Sequence, residues 1–377
     1  MFKKLFILFV IITLTSFGMI IYGFFQHIHS LEITKSHLHN QNPQNTNEMN
    51  NINNRQNEIQ NEKDLYTFIQ PTYTDSRLNL NNFNYKGKCR EPFKYKRNNK
   101  RDLIFTGIKY DNREKWMSHK QSIVFATKLM QNTIPHARKV CVIYDDDKEL
   151  ENFIQSCGFE ILKVDEKIAS RYYFQKNLNP AIDRFIQLKK YLKQHKGEFD
   201  RVALIDFRDV YFFADGFQTI SDDEVVFTQE CISYKSNRTL CLDYTQKLNH
   251  YWMNNCYGTK IAREFAEEKR IIHNVGMIIG GIKPFEQLLD VFLREISRMR
   301  RRIHIWGIDN SMLNYLQYNG KFSHINVTIN KFSQRMAFSR RGGYEYDKDK
   351  KAIVNEIDGC SPIIKHKIEG NSMFEIK

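Results

Sequence analysis

Residues 201–210, Arg-Val-Ala-Leu-Ile-Asp-Phe-Arg-Asp-Val, join an apolar run directly to two carboxylates. Val202 to Ile205 read as a short buried strand. Asp206 and Asp209 follow at once, with Arg208 between them. In an open α/β sheet, ligands collect at the carboxyl ends of strands. Two carboxylates placed there repel each other unless a cation lies between them, and an unpaired carboxylate at a buried strand end is costly. A hard divalent ion that prefers oxygen ligands is the natural occupant. Such an ion can in turn hold a diphosphate. The plainer reading is a capped or salt-bridged turn, since Asp is common after strands.

The surrounding pattern supplies the frame for these residues. Asp102 to Ile108 reads as a strand, and Trp116 to Met130 has helical spacing. Lys139 to Tyr144 is a second strand, closed by Asp145-Asp-Asp147. Those acidic groups suit the start of a helix over Glu149 to Ser156, which Gly158 stops. Phe159 to Val164 is a third strand, and Pro180 to His195 an amphipathic helix that leads into Val202. Val225 to Thr228 and Asn274 to Ile279 are further apolar runs, and Phe285 to Met299 is a helix. This alternation argues a three-layer α/β/α sandwich with a mostly parallel central sheet.

Leu204-Ile-Asp-Phe-Arg-Asp-Val-Tyr-Phe213, with Asp215-Gly-Phe217 after it, resembles the metal-binding segment of GT-A-fold glycosyltransferases that carry a DxD motif. The resemblance covers roughly residues 102 to 370. It implies a nucleotide-diphospho-sugar transferase in which an acidic pair holds Mn²⁺ or Mg²⁺ against a UDP- or GDP-sugar, for transfer to a hydroxyl of a glycan, glycoprotein or glycolipid. Here the carboxylates stand at i, i+3 where DxD has i, i+2, so Asp206, Asp209 or both would touch the metal. Arg208 falls in an Asp-x-Arg-Asp-Val core like that of a subset of these enzymes and belongs with the donor. Thr106 and Gly107 end the first strand, where the family packs the nucleoside. Arg184 lies on the helix before the metal strand, where an Arg reaches the diphosphate or the acidic pair, although a surface Arg would fit there equally. His273-Asn-Val-Gly-Met-Ile-Ile-Gly-Gly281 is similar to the family's Asn-x-Gly strand, which implicates Asn274, Gly276, Gly280 and Gly281 on the acceptor side. Asp309, in Trp306-Gly-Ile-Asp-Asn, is the candidate acceptor-binding or general-base carboxylate, or else the N-cap of a helix over Asn310 to Leu316. His366 follows a short apolar strand, where similar enzymes supply a late metal ligand. A catalytically silent, membrane-anchored carbohydrate-binding protein of the same fold is the alternative.

The start of the chain bears on compartment. Residues 1–4 include Lys3 and Lys4 and precede an uncharged apolar run from Leu5 to Phe25. At ~1.5 Å per residue that run is long enough for the ~30 Å core of a bilayer. Lysines on its amino side predict a type II signal anchor with the remainder lumenal, in Golgi or ER. Residues 26–100 read as an Asn/Gln-rich disordered stem, and 101–377 as the catalytic domain. The formal charge of +14 suits a phosphate-bearing substrate or an anionic surface, and the anchor argues against nucleic acid. Sequons at Asn237 and Asn326 are compatible with a lumenal body. Cys231, Cys241 and Cys256 could supply a disulfide, whereas Cys141 reads as an inert core residue.

Overall fold

The computed structural model describes residues 64–368, apart from 111, 165–178, 234–238, 300, 301, 303, 332 and 339–342. The expected anchor at 5–25 and the sequon at Asn237 lie outside the described residues. Among the described residues no helix is long and apolar enough to cross a membrane.

The first strands and helices fall where the pattern places them. They are β1 (Asp102–Ile108), α1 (Arg113–Thr133), β2 (Arg138–Ile143), α2 (Lys148–Ser156), β3 (Glu160–Lys163), α3 (Pro180–Gln194) and β4 (Arg201–Ile205). Then come β5 (Val210–Phe212), β6 (Val225–Gln229), the β7–β8 hairpin (Cys231–Ser233 and Thr239–Cys241), α4 (Lys247–Tyr257) and α5 (Thr259–Glu267). The chain finishes with β9 (His273–Gly281), α6 (Ile282–Arg298), α7 (Ile308–Tyr318), β10 (Val327–Asn330), β11 (Met336–Phe338), β12 (Tyr344–Asp347), β13 (Ala352–Asn355) and β14 (Ile364–His366).

Seven strands form the central sheet in the order β10-β6-β9-β4-β1-β2-β3. Only β9 runs against its neighbours, pairing antiparallel with both β4 and β6. Strand alternation sends Ile104, Cys141, Ala203 and Met277 to one face, against α1, α2 and a smaller sheet of order β11-β14-β5. Leu103, Val140, Leu204 and Ile278 go to the other face, against α3, α6 and α7. Both faces are therefore covered, which is why β4 is apolar from Val202 to Ile205 rather than alternating.

The amino-terminal boundary differs from the expected one. Residues 64–100 are not a stem over their described length: Leu78, Leu80, Phe83, Tyr85 and Phe93 are buried in the core beside α1 and β5. The Tyr85 hydroxyl donates to the Pro362 carbonyl at 2.7 Å, and a disulfide joins Cys89 to Cys360. These apolar residues follow no helical or strand period because the segment is irregular chain with short 3₁₀ turns, so composition alone suggested disorder.

Candidate functional site

The turn from β4 into β5 explains the spacing of the two carboxylates. Asp206 continues the β4–β9 pairing, its amide donating to the Gly276 carbonyl at 2.8 Å. Phe207 to Asp209 then reverse the chain. In a four-residue turn, positions i and i+3 come close together, so the i, i+3 spacing delivers both carboxyls to one place. The third member arrives from the far end of the sequence. β14 pairs antiparallel with β5, with His366 opposite Val210. Asp206, Asp209 and His366 offer ligand atoms that all lie within 4.8 Å of one another.

His366 Nε2 is 3.6 Å from Asp206 Oδ2 and 3.4 Å from Asp209 Oδ1. These are ion-pair distances without hydrogen-bond alignment: Asp209 Oδ1 and both ring nitrogens of His366 are buried with no hydrogen-bond partner. Burial alone would raise the Asp209 carboxyl, but His366, Lys367 and Arg208 outweigh it and hold Asp209 at about 2. Two carboxylates and one imidazole, converging with unpartnered atoms, fit a divalent ion such as Mn²⁺, which accepts both oxygen and imidazole donors. Gly276 keeps the space open. A Cβ there would collide with His366 Cε1 and would lie 2.5 Å from Asp206 Oδ2.

Arg184 is almost wholly buried on α3 and forks between two acidic residues. Its Nη1 donates to Asp206 Oδ1 at 2.5 Å and its Nη2 to Asp309 Oδ2 at 3.2 Å. Asp206 thus spends one oxygen on Arg184 and turns the other toward His366. Asp309 sits in the first turn of α7, not at its cap: the cap is Gly307, in the left-handed region at φ 75°. Burial raises the Asp309 carboxyl above its ordinary value, and Arg184 only partly offsets this.

A cleft of about 410 Å³ opens over this cluster. Its floor is Asp206, Asp209 and Gly276, with Gly107 to Tyr110 from the end of β1 on one side. Arg184, Asn274 and Asp309 also line it. Asn274 bridges Glu230 and the Gly276 amide, at 2.8 and 2.9 Å, and so stiffens the strand beside the cluster. Arg208 is at the mouth, Nη1 3.0 Å from His119 Nε2.

Three expected site residues lie elsewhere. Thr106 is fully buried, and its hydroxyl donates to the Ile205 carbonyl at 2.9 Å, tying β1 to β4; alternation turns it away while Gly107 faces the cleft. Gly280 and Gly281 pair with Val202 and Arg201, at the start of β4 and so at the opposite end of the sheet. There they permit close packing on Val225 and Asp222, where any Cβ would clash. Asp147, at the second strand's end, caps α2 as its position suggested, accepting from the amides of Glu149 and Leu150. Glu230, Trp252, Trp306 and Lys367 line the cleft without having been singled out. Lys367 adjoins His366 and Trp306 precedes the Gly-Ile-Asp309 segment, and adjacency was the one available signal.

Among the cysteines, Cys231 pairs with Cys241, while Cys141, Cys157 and Cys256 are free and buried.

No family model matches the chain, and no curated protein matches it. Solved structures with a similar chain trace include core-mannan synthase A (CmsA/Ktr4) from Aspergillus fumigatus in its Mn/GDP form, at 10% identity and TM-score 0.34, over 61% of this chain and 72% of that one. The mannosyltransferase Ktr4p from S. cerevisiae, in complex with GDP, is similar at 11% identity and TM-score 0.31, over 69% of this chain and 75% of that one. At this distance, function rests on the cleft's own residues.

Proposed function

We propose that the chain is a metal-dependent glycosyltransferase that moves a sugar from a nucleotide-diphosphate donor to a hydroxyl of a carbohydrate acceptor. The observation that carries this reading is the convergence of Asp206, Asp209 and His366, with unpartnered buried atoms on Asp209 and His366, where Asp206 and Asp209 line a cleft at the carboxyl end of β4. These three residues would hold Mn²⁺ or Mg²⁺. The ion, when bound, neutralises the diphosphate and so improves it as a leaving group.

The chain's own residues supply the remainder. Gly107 to Tyr110 line the side of the cleft on which a nucleoside would lie. Lys367 and Arg208 add positive charge beside Asp209, where a diphosphate would sit. Arg184 fixes the rotamer of Asp206 and links it to Asp309. Asp309, with its proton affinity raised by burial, would orient the acceptor hydroxyl and accept its proton. A type II anchor and a Golgi or ER lumen belong to the same proposal. Two disulfides suit an oxidising compartment.

The test is donor hydrolysis by the chain with a panel of UDP- and GDP-sugars and Mn²⁺. Turnover should disappear on chelation and fall by at least about 100-fold in Asp206→Asn and Asp209→Asn, the loss expected when a charged transition-state contact is removed. A folded protein with metal-dependent nucleotide binding but no turnover would point instead to a silent binding protein. Absence of both would end the transferase reading.

A further inference from the structure

The side of the cleft away from β1 is built differently from the floor. Trp306 is 72% exposed at its rim, just before the left-handed Gly307. A Cβ at Gly307 would collide with the Trp252 indole, so the 306–307 turn packs directly onto that second ring. The backbone under Trp306 is therefore held in place while its own ring stays in solvent. Leu242 and Leu248 complete the apolar part of this wall.

Beneath the rings runs a fixed polar chain. Gln246 Oε1 accepts from the Asn249 amide at 3.0 Å and from Asn249 Nδ2 at 2.8 Å. Asn249 Oδ1 accepts from Asn310 Nδ2 at 3.1 Å, and the Asn310 amide donates to Asp309 Oδ1 at 2.9 Å. The wall thus runs from the exposed Trp306 ring to the carboxylate beside Arg184.

A lone exposed apolar side chain needs no explanation. Two indoles at a cleft mouth, interleaved with amides already locked by mutual hydrogen bonds, are a different composition. An aromatic face favours an apolar planar partner, and the amides favour hydroxyls on its edge. A sugar ring has both, a C–H face and a hydroxyl rim. An alkyl chain would strip water from the amide hydrogens and lone pairs that these bonds leave over, which hydroxyls can serve. The proposed function puts the nucleoside on the other side of the cleft, along Gly107 to Tyr110.

Resting on the transferase reading, we propose that Trp306, backed by Trp252, is the platform on which a sugar ring of the acceptor stacks, its hydroxyl rim directed along Gln246, Asn249 and Asn310 toward Asp309. Trp306 is a specificity-determining residue for the acceptor.

The test uses the full chain with Mn²⁺ and the sugar nucleotide it hydrolyses. Methyl and octyl pyranosides are offered as acceptors, and sugar transferred is measured against sugar lost to water. Trp306→Ala should raise the acceptor KM about tenfold and shift the partition toward hydrolysis, with Trp306→Phe restoring most of the transfer. The donor KM should stay unaltered. The ring is exposed, so its removal leaves the core intact, and a circular-dichroism melt checks this. An unchanged acceptor KM in Trp306→Ala would overturn the proposal, as would a parallel rise in donor KM. So would a wild type that accepts octyl but not methyl pyranosides, which would assign the wall to an apolar partner, or one that hydrolyses donor yet accepts no pyranoside. A wild type with neither donor hydrolysis nor metal-dependent nucleotide binding would remove the transferase reading and this one together.

Discussion

Single atoms decide whether the proposed metal site can exist. At Gly276 there is no slack, because the missing Cβ is what leaves His366 and Asp206 free to converge. Gly276→Ala should therefore keep the fold, since β9 stays paired on both sides, yet weaken Mn²⁺ binding by about tenfold or more as His366 is displaced. Titration of Mn²⁺ by calorimetry measures this, and an affinity equal to wild type would show that the triad does not hold the ion. The residue types here were legible: Asp206, Asp209, Arg184, Asp309 and His366 meet at one place. What was not legible was the reason for the odd spacing, which lies in the β4–β5 turn, and the placement of Thr106, which depends on which way a fully buried strand alternates. Gly280 and Gly281 misled because glycine allows close approach to any neighbour, and here the neighbour is the chain at Asp222 to Val225.

Elements differ in how much of themselves they write into the sequence. The strands β1, β2 and β4 and the helices α3 and α6 announce themselves because each buries an apolar face over several residues. α4 and α5 do not: α4 buries only Asn249, Met253 and Cys256, and the apolar stripe of α5, Ile261, Ala262, Phe265 and Ala266, lies in a helix of only nine residues. β14 is shorter still, but it brings the last candidate ligand and carries a second peculiarity. Lys365, between its two buried neighbours in the strand, is itself only 3% exposed. Burial pushes its ammonium down to about 7, against about 10.4 in an unfolded chain. Between those values the unfolded chain holds a proton that the fold lacks. Stability should therefore rise with pH across this window, by at most about 1.4 kcal/mol per unit from this group. Below the window the cost of keeping a buried charge is fully present. Urea midpoints from pH 7 to 9, taken in chelator so that metal binding does not contribute, should climb in the wild type and climb less in Lys365→Met. Parallel slopes for the two proteins would show that Lys365 titrates normally.

At the scale of the whole molecule, the two ends of the described chain hold each other and the site. The segment before β1 packs in the same core as the smaller sheet, and Cys89–Cys360 fastens it a few residues ahead of His366. It also completes the base of β4. Arg201 is 1% exposed and makes a two-pronged pair with Asp102, at 2.7 and 2.8 Å. Its other hydrogen bonds go to the carbonyls of Lys96, Arg97 and Phe217. A chain cut at residue 101, where composition places the domain boundary, loses two of those carbonyls and leaves part of a buried guanidinium unpaired. It also loses Leu78, Leu80, Phe83, Tyr85 and Phe93 from the core. Truncating one such side chain typically costs about 2–5 kcal/mol, and a domain has only about 5–15 kcal/mol in total. Removing five at once costs about 10 kcal/mol even if the site collapses favourably, which is comparable with the whole reserve. Residues 101–377 should therefore be aggregated or molten, whereas residues 62–377 should unfold in a single cooperative transition. Size-exclusion profiles and near-ultraviolet circular-dichroism melts of the two chains decide the matter. Equal melting temperatures would mean that the amino-terminal segment is a passenger on the domain rather than part of its core.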